Sequence, residues 1–239
     1  ALYPLLSLVG VIVTSFVWSK MITPKQGKDD PSFIFIYLVA LAGAFLGAKF
    51  VYIASEGWMR MLDTELTLQQ KVMDLLVGKS ITGAFLGGYG AVEWAKKRVG
   101  HHEPTGDYFA AIVPIGLMLG RIGCYAHGCC LGVTMDAHWY TLVDASGLHH
   151  WPAVPAEFLF NAVMLLFAWC CIIKQWQRGQ VFHIYLIAYG LFRLAHEFLR
   201  ETPPLVASIS GYQLAAFAIF LLGIIRYYER SKESIRETF

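Results

Sequence analysis

Four cations, Lys49, Arg121, Arg193 and Arg200, fall inside or at the edge of long apolar runs. On insertion scales such a charge costs about 2.5–3.5 kcal/mol at a bilayer centre, so it needs a partner. Arg121 lies thirteen residues into the run 108–130 and Arg193 thirteen into the run 180–200. At about 1.5 Å rise per residue both reach roughly 20 Å from the start of a helix, and Lys49, by the same count along the run 33–54, reaches roughly 24 Å. Tyr189, Arg193, Glu197 and Arg200 follow one another at spacings of four, four and three, which puts them on one helical stripe with His196 beside it. The acidic residues at this depth are Glu197 and Glu157, so positive charge is in excess. A phosphate, which guanidinium groups hold bidentately, fits that excess. The alternative is internal pairing, with Arg193 and Arg200 on Glu197 and Arg121 on backbone carbonyls.

The segment 120–132 reads GRIGCYAHGCCLG, with glycines at Gly120, Gly123, Gly128 and Gly132 around Arg121. Glycines here permit a tight turn and a close approach of backbone N–H groups to an anion. His127 could serve as a base or hydrogen-bond a loop carbonyl. Cys124, His127, Cys129 and Cys130 are soft donors, but their spacing is irregular, unlike paired C-x-x-C ligands, and the expectation is no metal and no cofactor.

These residues must be held by membrane helices. Of 239 residues 56% are hydrophobic and 15% charged, a composition outside the range of soluble domains. Runs near bilayer length occupy 2–19, 33–54, 80–95, 108–130, 154–173, 180–200 and 211–228, which predicts an all-α polytopic protein of about seven transmembrane helices in a single domain, 1–239. The third run, interrupted by Gly83, Gly87, Gly88 and Gly90, is expected to be a broken or re-entrant helix. With the amino terminus outside, inner connections carry twelve basic residues (Lys20, Lys25, Lys28, Lys96, Lys97, Arg98, Lys174, Arg178, Arg226, Arg230, Lys232, Arg236) and outer ones three (Arg60, Lys71, Lys79). The carboxyl terminus is then cytoplasmic. The outer face receives a loop at 131–155, with Trp139, Tyr140 and Trp151 at the interface, and an amphipathic segment at 58–78. The net charge of +2 is absorbed by this topology and gives no case for nucleic acid.

The segment 120–132 resembles the signature of the prolipoprotein diacylglyceryl transferases. Further matches follow in order: Gly47-Ala48-Lys49, Gly87-Gly88, Pro155-Ala156-Glu157, Tyr189-Gly190-Leu191-Phe192-Arg193, Glu197-Phe198-Leu199-Arg200 and Gln213. The resemblance implies a seven-helix enzyme of the bacterial inner membrane, its site toward the outer side. It would move a diacylglyceryl group from phosphatidylglycerol to the lipobox cysteine of a preprolipoprotein and release glycerol phosphate. It further implies that Arg121 and Arg193 are essential and that Glu197 and Arg200 share their site, with Tyr189, Lys49, Gly128, Gly132, Cys124 and Glu157 around the substrate. Leu86 stands where the family usually has a histidine, Cys124 and His127 where it has asparagines, and Leu159 and Phe160 where it has tyrosine and glutamate. His127 is the candidate to replace the lost base. The other readings are a related transferase with a different donor or acceptor, and a non-catalytic protein that binds anionic lipid.

Overall fold

A computed structural model describes residues 2–26, 31–102, 104–206 and 208–238, with side chains described for 8–20, 31–102, 104–205 and 208–232. The side chains of Lys25, Lys28 and Arg236 lie outside that set. The chain is mostly helical: α1 (Leu2–Gln26), α2 (Pro31–Tyr52), a π-turn (Ile53–Gly57), α3 (Trp58–Leu62), α4 (Leu68–Val77), α5 (Ile81–Val99), α6 (Gly106–His127), α7 (Ala153–Ile173), α8 (Val181–His196) and α9 (Gly211–Thr238). Among the described residues, four helical stretches are long and apolar enough to cross a membrane: Pro31–Leu62, Gly106–His127, Ala153–Ile173 and Gly211–Lys232. The pair α4–α5, bent by 53°, makes a fifth. This is a multi-pass membrane protein.

The third run is not broken where its glycines suggested. Helix α5 runs unbroken from Ile81 to Val99, and the bend lies before it, between Val77 and Ile81. Its glycines serve packing. A Cβ on Gly83 would sit 2.2 Å from the Gly47 carbonyl oxygen, and one on Gly87 2.3 Å from that of Gly43. Two small-xxx-small faces therefore bring α2 and α5 into backbone contact, the arrangement apolar solvent favours because lipid offers no hydrophobic force between helices.

The run 180–200 also ends early. Helix α8 stops at His196, residues Glu197–Leu199 tighten into a 3₁₀ turn, and Arg200 is extended at φ −122°, ψ 144°. The expected stripe therefore holds from Tyr189 to Glu197 and fails at Arg200, which pairs in antiparallel fashion with Gly132. Two small hairpins complete the same end of the molecule: β1 (Leu142–Val143) with β2 (His149–His150), and β3 (Pro204–Val206) with β4 (Ile209–Ser210). The outer segment 58–78 folds as two short helices, α3 and α4, of which α4 exposes Leu68, Val72, Met73 and Leu76.

Candidate functional site

Asp107, in the first turn of α6, sets the level at which the arginines meet. Its carboxylate accepts the backbone N–H groups of Gly179 (2.7 Å) and Val181 (3.2 Å), capping the start of α8. The two helices thus begin side by side and run parallel. Arg121 comes fourteen residues after Asp107, and Arg193 twelve after Val181. At about 1.5 Å per residue these are roughly 21 and 18 Å along, one shared layer. Helix α7 runs the opposite way, and Glu157 in its first turns arrives in that layer from the other end.

Glu157, 1% exposed, is the hub of the site. One carboxylate oxygen, Oε2, pairs with Arg121 Nη2. The other, Oε1, accepts from Arg193 Nη1 at 2.8 Å and from Arg200 Nη1 at 2.9 Å, with His196 Nδ1 at 3.7 Å. Arg193 Nη2 also pairs with Glu197. Both acids expected at this depth, Glu157 and Glu197, are in the cluster, and it is Glu157 rather than Glu197 that holds Arg200. Glu56, half-buried on the π-turn, is a third carboxylate close enough to act on Arg200 and Glu197, though it makes no direct pair with the three arginines.

Hydrogen bonding around Glu157 is unbalanced. Arg121 Nε, Arg193 Nε, Arg200 Nε, the Tyr189 hydroxyl, His196 Nδ1 and Glu197 Oε1 are buried without a hydrogen-bond partner. His196 Nε2 accepts the Trp151 indole N–H at 3.1 Å, and an indole can only donate, so the proton of a neutral His196 sits on Nδ1. Five of the six unmet atoms are therefore able to donate and one accepts only. Each such buried group costs about 1–3 kcal/mol unmet, so the site favours a ligand rich in acceptor oxygens.

The structure does not gather every residue picked from the sequence. Arg121, Arg193, Glu197, Arg200, Glu157 and Tyr189 converge, and Cys124 touches the edge of the group, 3.9 Å from Arg121 Nη1. His127 is exposed on the last turn of α6, and the histidine within the group is His196. Lys49 stands apart. Its ammonium donates to the carbonyls of Leu75 (2.8 Å) and Gly78 (2.9 Å) and to that of Leu76, closing the carboxyl end of α4, where a cation complements the helix dipole. Leu86 packs with Phe85 and Tyr189 in the apolar layer below. Trp151, expected at the interfacial belt, donates its indole N–H to His196. Asn161 joins from α7, taking the Tyr185 hydroxyl at 2.7 Å and donating to the Glu157 carbonyl at 2.7 Å. No periodicity marks the Trp151–His196 or Asn161–Tyr185 bonds, because each joins two different elements.

The glycines have distinct tasks. Gly128 ends α6 at φ +65°, a left-handed cap. Gly132 sits where three strands cross: its N–H donates to Trp151 O (3.0 Å), and a Cβ would lie 2.6 Å from Leu199 O and 2.7 Å from Trp151 Cβ. Its carbonyl accepts from His150 Nδ1 at 2.9 Å, while His150 Nε2 faces Asp144 Oδ2 at 3.1 Å. The Gly132 carbonyl and the Asp144 carboxylate together raise the His150 pKa above its ordinary value. The Ser146 hydroxyl, His150 and the Leu148 N–H hold Asp144 well below the usual carboxylate range.

A model of the prolipoprotein diacylglyceryl transferase family matches residues 1–228. The chain belongs to that family. Among similar family members, phosphatidylglycerol--prolipoprotein diacylglyceryl transferase of Proteus mirabilis is 26% identical over 93% of this chain and 85% of its own length. The corresponding protein of Methylobacillus flagellatus is 32% identical over 81% of this chain and 72% of its own. Clostridium perfringens has one, bearing that name with the number 2, at 26% identity over 96% and 91%. In this member of the family Arg121, Arg193 and Arg200 share one carboxylate, that of Glu157.

Proposed function

We propose that this chain moves the diacylglyceryl group of phosphatidylglycerol onto a cysteine thiol of a preprolipoprotein, with glycerol phosphate as the leaving group. The observation that carries this reading is the surplus of buried donors around Glu157, five against one acceptor. A phosphodiester brings the oxygens and the negative charge that surplus lacks. Arg121, Arg193 and Arg200 are placed to bind it, with the Tyr189 hydroxyl as a further donor. When the thiolate sulfur attacks the glycerol carbon, the C–O bond breaks and its electron pair leaves with the phosphate. The charge that develops meets donors already fixed in a dry site, the condition under which such donors accelerate most. The neighbouring cations favour the thiolate form of the attacking cysteine. Glu197 Oε1, a buried acceptor with no partner, is the group placed to take the thiol proton.

For the acyl chains the candidate space is a cavity of about 720 Å³ among the helices, lined by Ile81, Phe85 and Leu117 and also by the charged Glu93, Lys96 and Arg226; the three arginines of the cluster do not line it. Phe85 packs against Tyr189 at 4.6 Å between ring centroids, directly beneath the arginines. For topology we adopt seven spans in a bacterial inner membrane, amino terminus and site outward and carboxyl terminus cytoplasmic, supported by twelve basic residues on one set of loops against three on the other. On that view α1 and the short α8 both cross, and 131–155 forms an outer cap over the site.

The test is release of glycerol phosphate from headgroup-labelled phosphatidylglycerol by the purified protein with a lipobox peptide, and a matching mass gain on the peptide cysteine. Release indistinguishable from an Arg121→Ala control would rule the reaction out. A membrane-impermeant maleimide should label Trp139→Cys, in a chain otherwise free of cysteine, in intact spheroplasts. Labelling only after lysis would invert the topology.

A further inference from the structure

Beside the arginines, the turn after α6 folds three cysteines onto one another. Gly128, left-handed at φ +65°, reverses the chain, and Cys129 N–H returns to Cys124 O at 3.1 Å. Cys130 is itself left-handed at φ +62°, a conformation a non-glycine residue seldom takes. The sulfurs of Cys124, Cys129 and Cys130 all lie within 4.8 Å of one another, and those of Cys129 and Cys130 are 3.5 Å apart. Irregular spacing in the sequence argues against a metal site, but the helix cap removes that objection by bringing position 129 back over position 124.

We propose that Cys124, Cys129 and Cys130 bind one copper(I) ion as three thiolates. Metal–sulfur bonds of about 2.3 Å in a trigonal plane put sulfurs about 4 Å apart, inside the range observed. Among the described residues no fourth histidine, cysteine or carboxylate joins the three sulfurs, and His127 points to solvent. Three soft ligands without a fourth suit copper(I) better than zinc, which prefers four. Loading breaks three S–H bonds and forms three S–Cu bonds. Three protons leave to solvent past the exposed Cys130, and no electron moves. The product carries two negative charges, and the Arg121 guanidinium, its Nη1 3.9 Å from Cys124 Sγ, stabilises them.

The test uses the full-length protein in detergent, without oxygen, titrated with copper(I) against a chromogenic copper(I) chelator. One ion per chain should be taken from the chelator, with a thiolate-to-copper absorption band and an X-ray absorption spectrum of three sulfurs. Cys129→Ser should weaken binding at least 100-fold. Cys130→Gly, which suits the left-handed backbone and keeps the fold, should do the same. Cys170→Ser/Cys171→Ser should change nothing. Retention of all copper by the chelator, or equal binding by Cys130→Gly, overturns the proposal.

Discussion

Among the described residues two arginine–glutamate networks stand out, and they differ in how fully their hydrogen bonds are met. On the side of the cavity away from the Glu157 site, Arg226 donates from Nε to the Tyr89 hydroxyl (2.7 Å), from Nη2 to Glu93 (2.7 Å) and from Nη1 to Glu229 (2.9 Å). It is 36% exposed, and each of its three nitrogens has a partner. Around Glu157 the arginines Arg121 and Arg193 are below a tenth exposed, yet every Nε of the three arginines lacks a partner. The same residue types thus make a closed, wet network in one place and an open, dry one in the other. A network that only had to hold helices together would be expected to resemble the first. The second retains unmet donors where they are most costly, which is the pattern of a site shaped for a ligand.

The largest effect should come from removing the hub. Glu157→Ala takes from Arg121, Arg193 and Arg200 the carboxylate they share, and breaking a buried pair by deleting one partner costs about 3–5 kcal/mol. The melting temperature in detergent should fall by many degrees, and phosphatidylglycerol should restore part of it by occupying the cations. A melting curve like that of the parent would mean that Glu157 is not what neutralises them.

Next in size is Arg193→Lys. The charge remains but the planar fork that joins Glu157 to Glu197 is lost, and one ammonium cannot replace it. Loss of a preorganised donor in a site of this kind costs about 10²–10³-fold in rate. Glycerol phosphate release should drop by that factor with little change in melting temperature. A loss below about tenfold would return Arg193 to a structural role like that of Arg226.

How much of this was legible in the sequence follows from the kind of signal each feature leaves. Helix type, the shared depth of Arg121 and Arg193 and the Tyr189–Arg193–Glu197 stripe all follow from counting along single helices, because rise and periodicity are fixed. Features that depend on two elements were not legible. Glu157 as hub requires α7 to arrive antiparallel, and Arg200 on Glu157 requires α8 to stop at His196. The glycines of α5 suggested a break because glycine disfavours helix in water, whereas the facing glycines of α2 turn them into a contact surface. Lys49 shows the same limit: its depth was countable, but the carbonyls that hold it belong to α4.

Gly132→Ala tests whether the open network depends on the outer loop. The added methyl would meet Leu199 O and Trp151 at under 3 Å, forcing apart the strands that place Arg200 and Trp151. Overpacking of this kind costs about 1–3 kcal/mol. Release should fall more for Gly132→Ala than for Gly147→Ala, at a left-handed loop glycine whose Cβ would meet nothing within 4 Å. Equal effects would detach the loop from the site.

A smaller effect should appear with pH at the same loop. The His150 pKa is raised in the fold, so its contribution is complete below its ordinary value near 6.5 and is lost as pH rises through the folded value. The Asp144 pKa is lowered, so its contribution is present above its ordinary value near 3.9 and is lost only as pH falls toward the folded value. The clamp on Gly132 is therefore tightest on the acid side of neutrality. Amide exchange at Val133 and Trp151, corrected for intrinsic rates, should quicken from pH 5.5 to pH 8.5, and His150→Ala should flatten that change.

The smallest effect belongs to Arg226→Gln, and its smallness is what gives the comparison its edge. Its partners Glu93 and Glu229 are themselves 33% and 54% exposed, so water replaces the lost guanidinium at each. Ion pairs of this exposure contribute about 0–1 kcal/mol and are screened by salt. The melting temperature should fall by a few degrees at most at low salt, and the difference from the parent should shrink at 0.5 M sodium chloride. The Glu157 variants should keep their deficit at that salt, because ions do not screen a pair that water does not reach. If both deficits shrink alike, the Glu157 network is wet, and the argument that its unmet donors await an anion fails with its dryness.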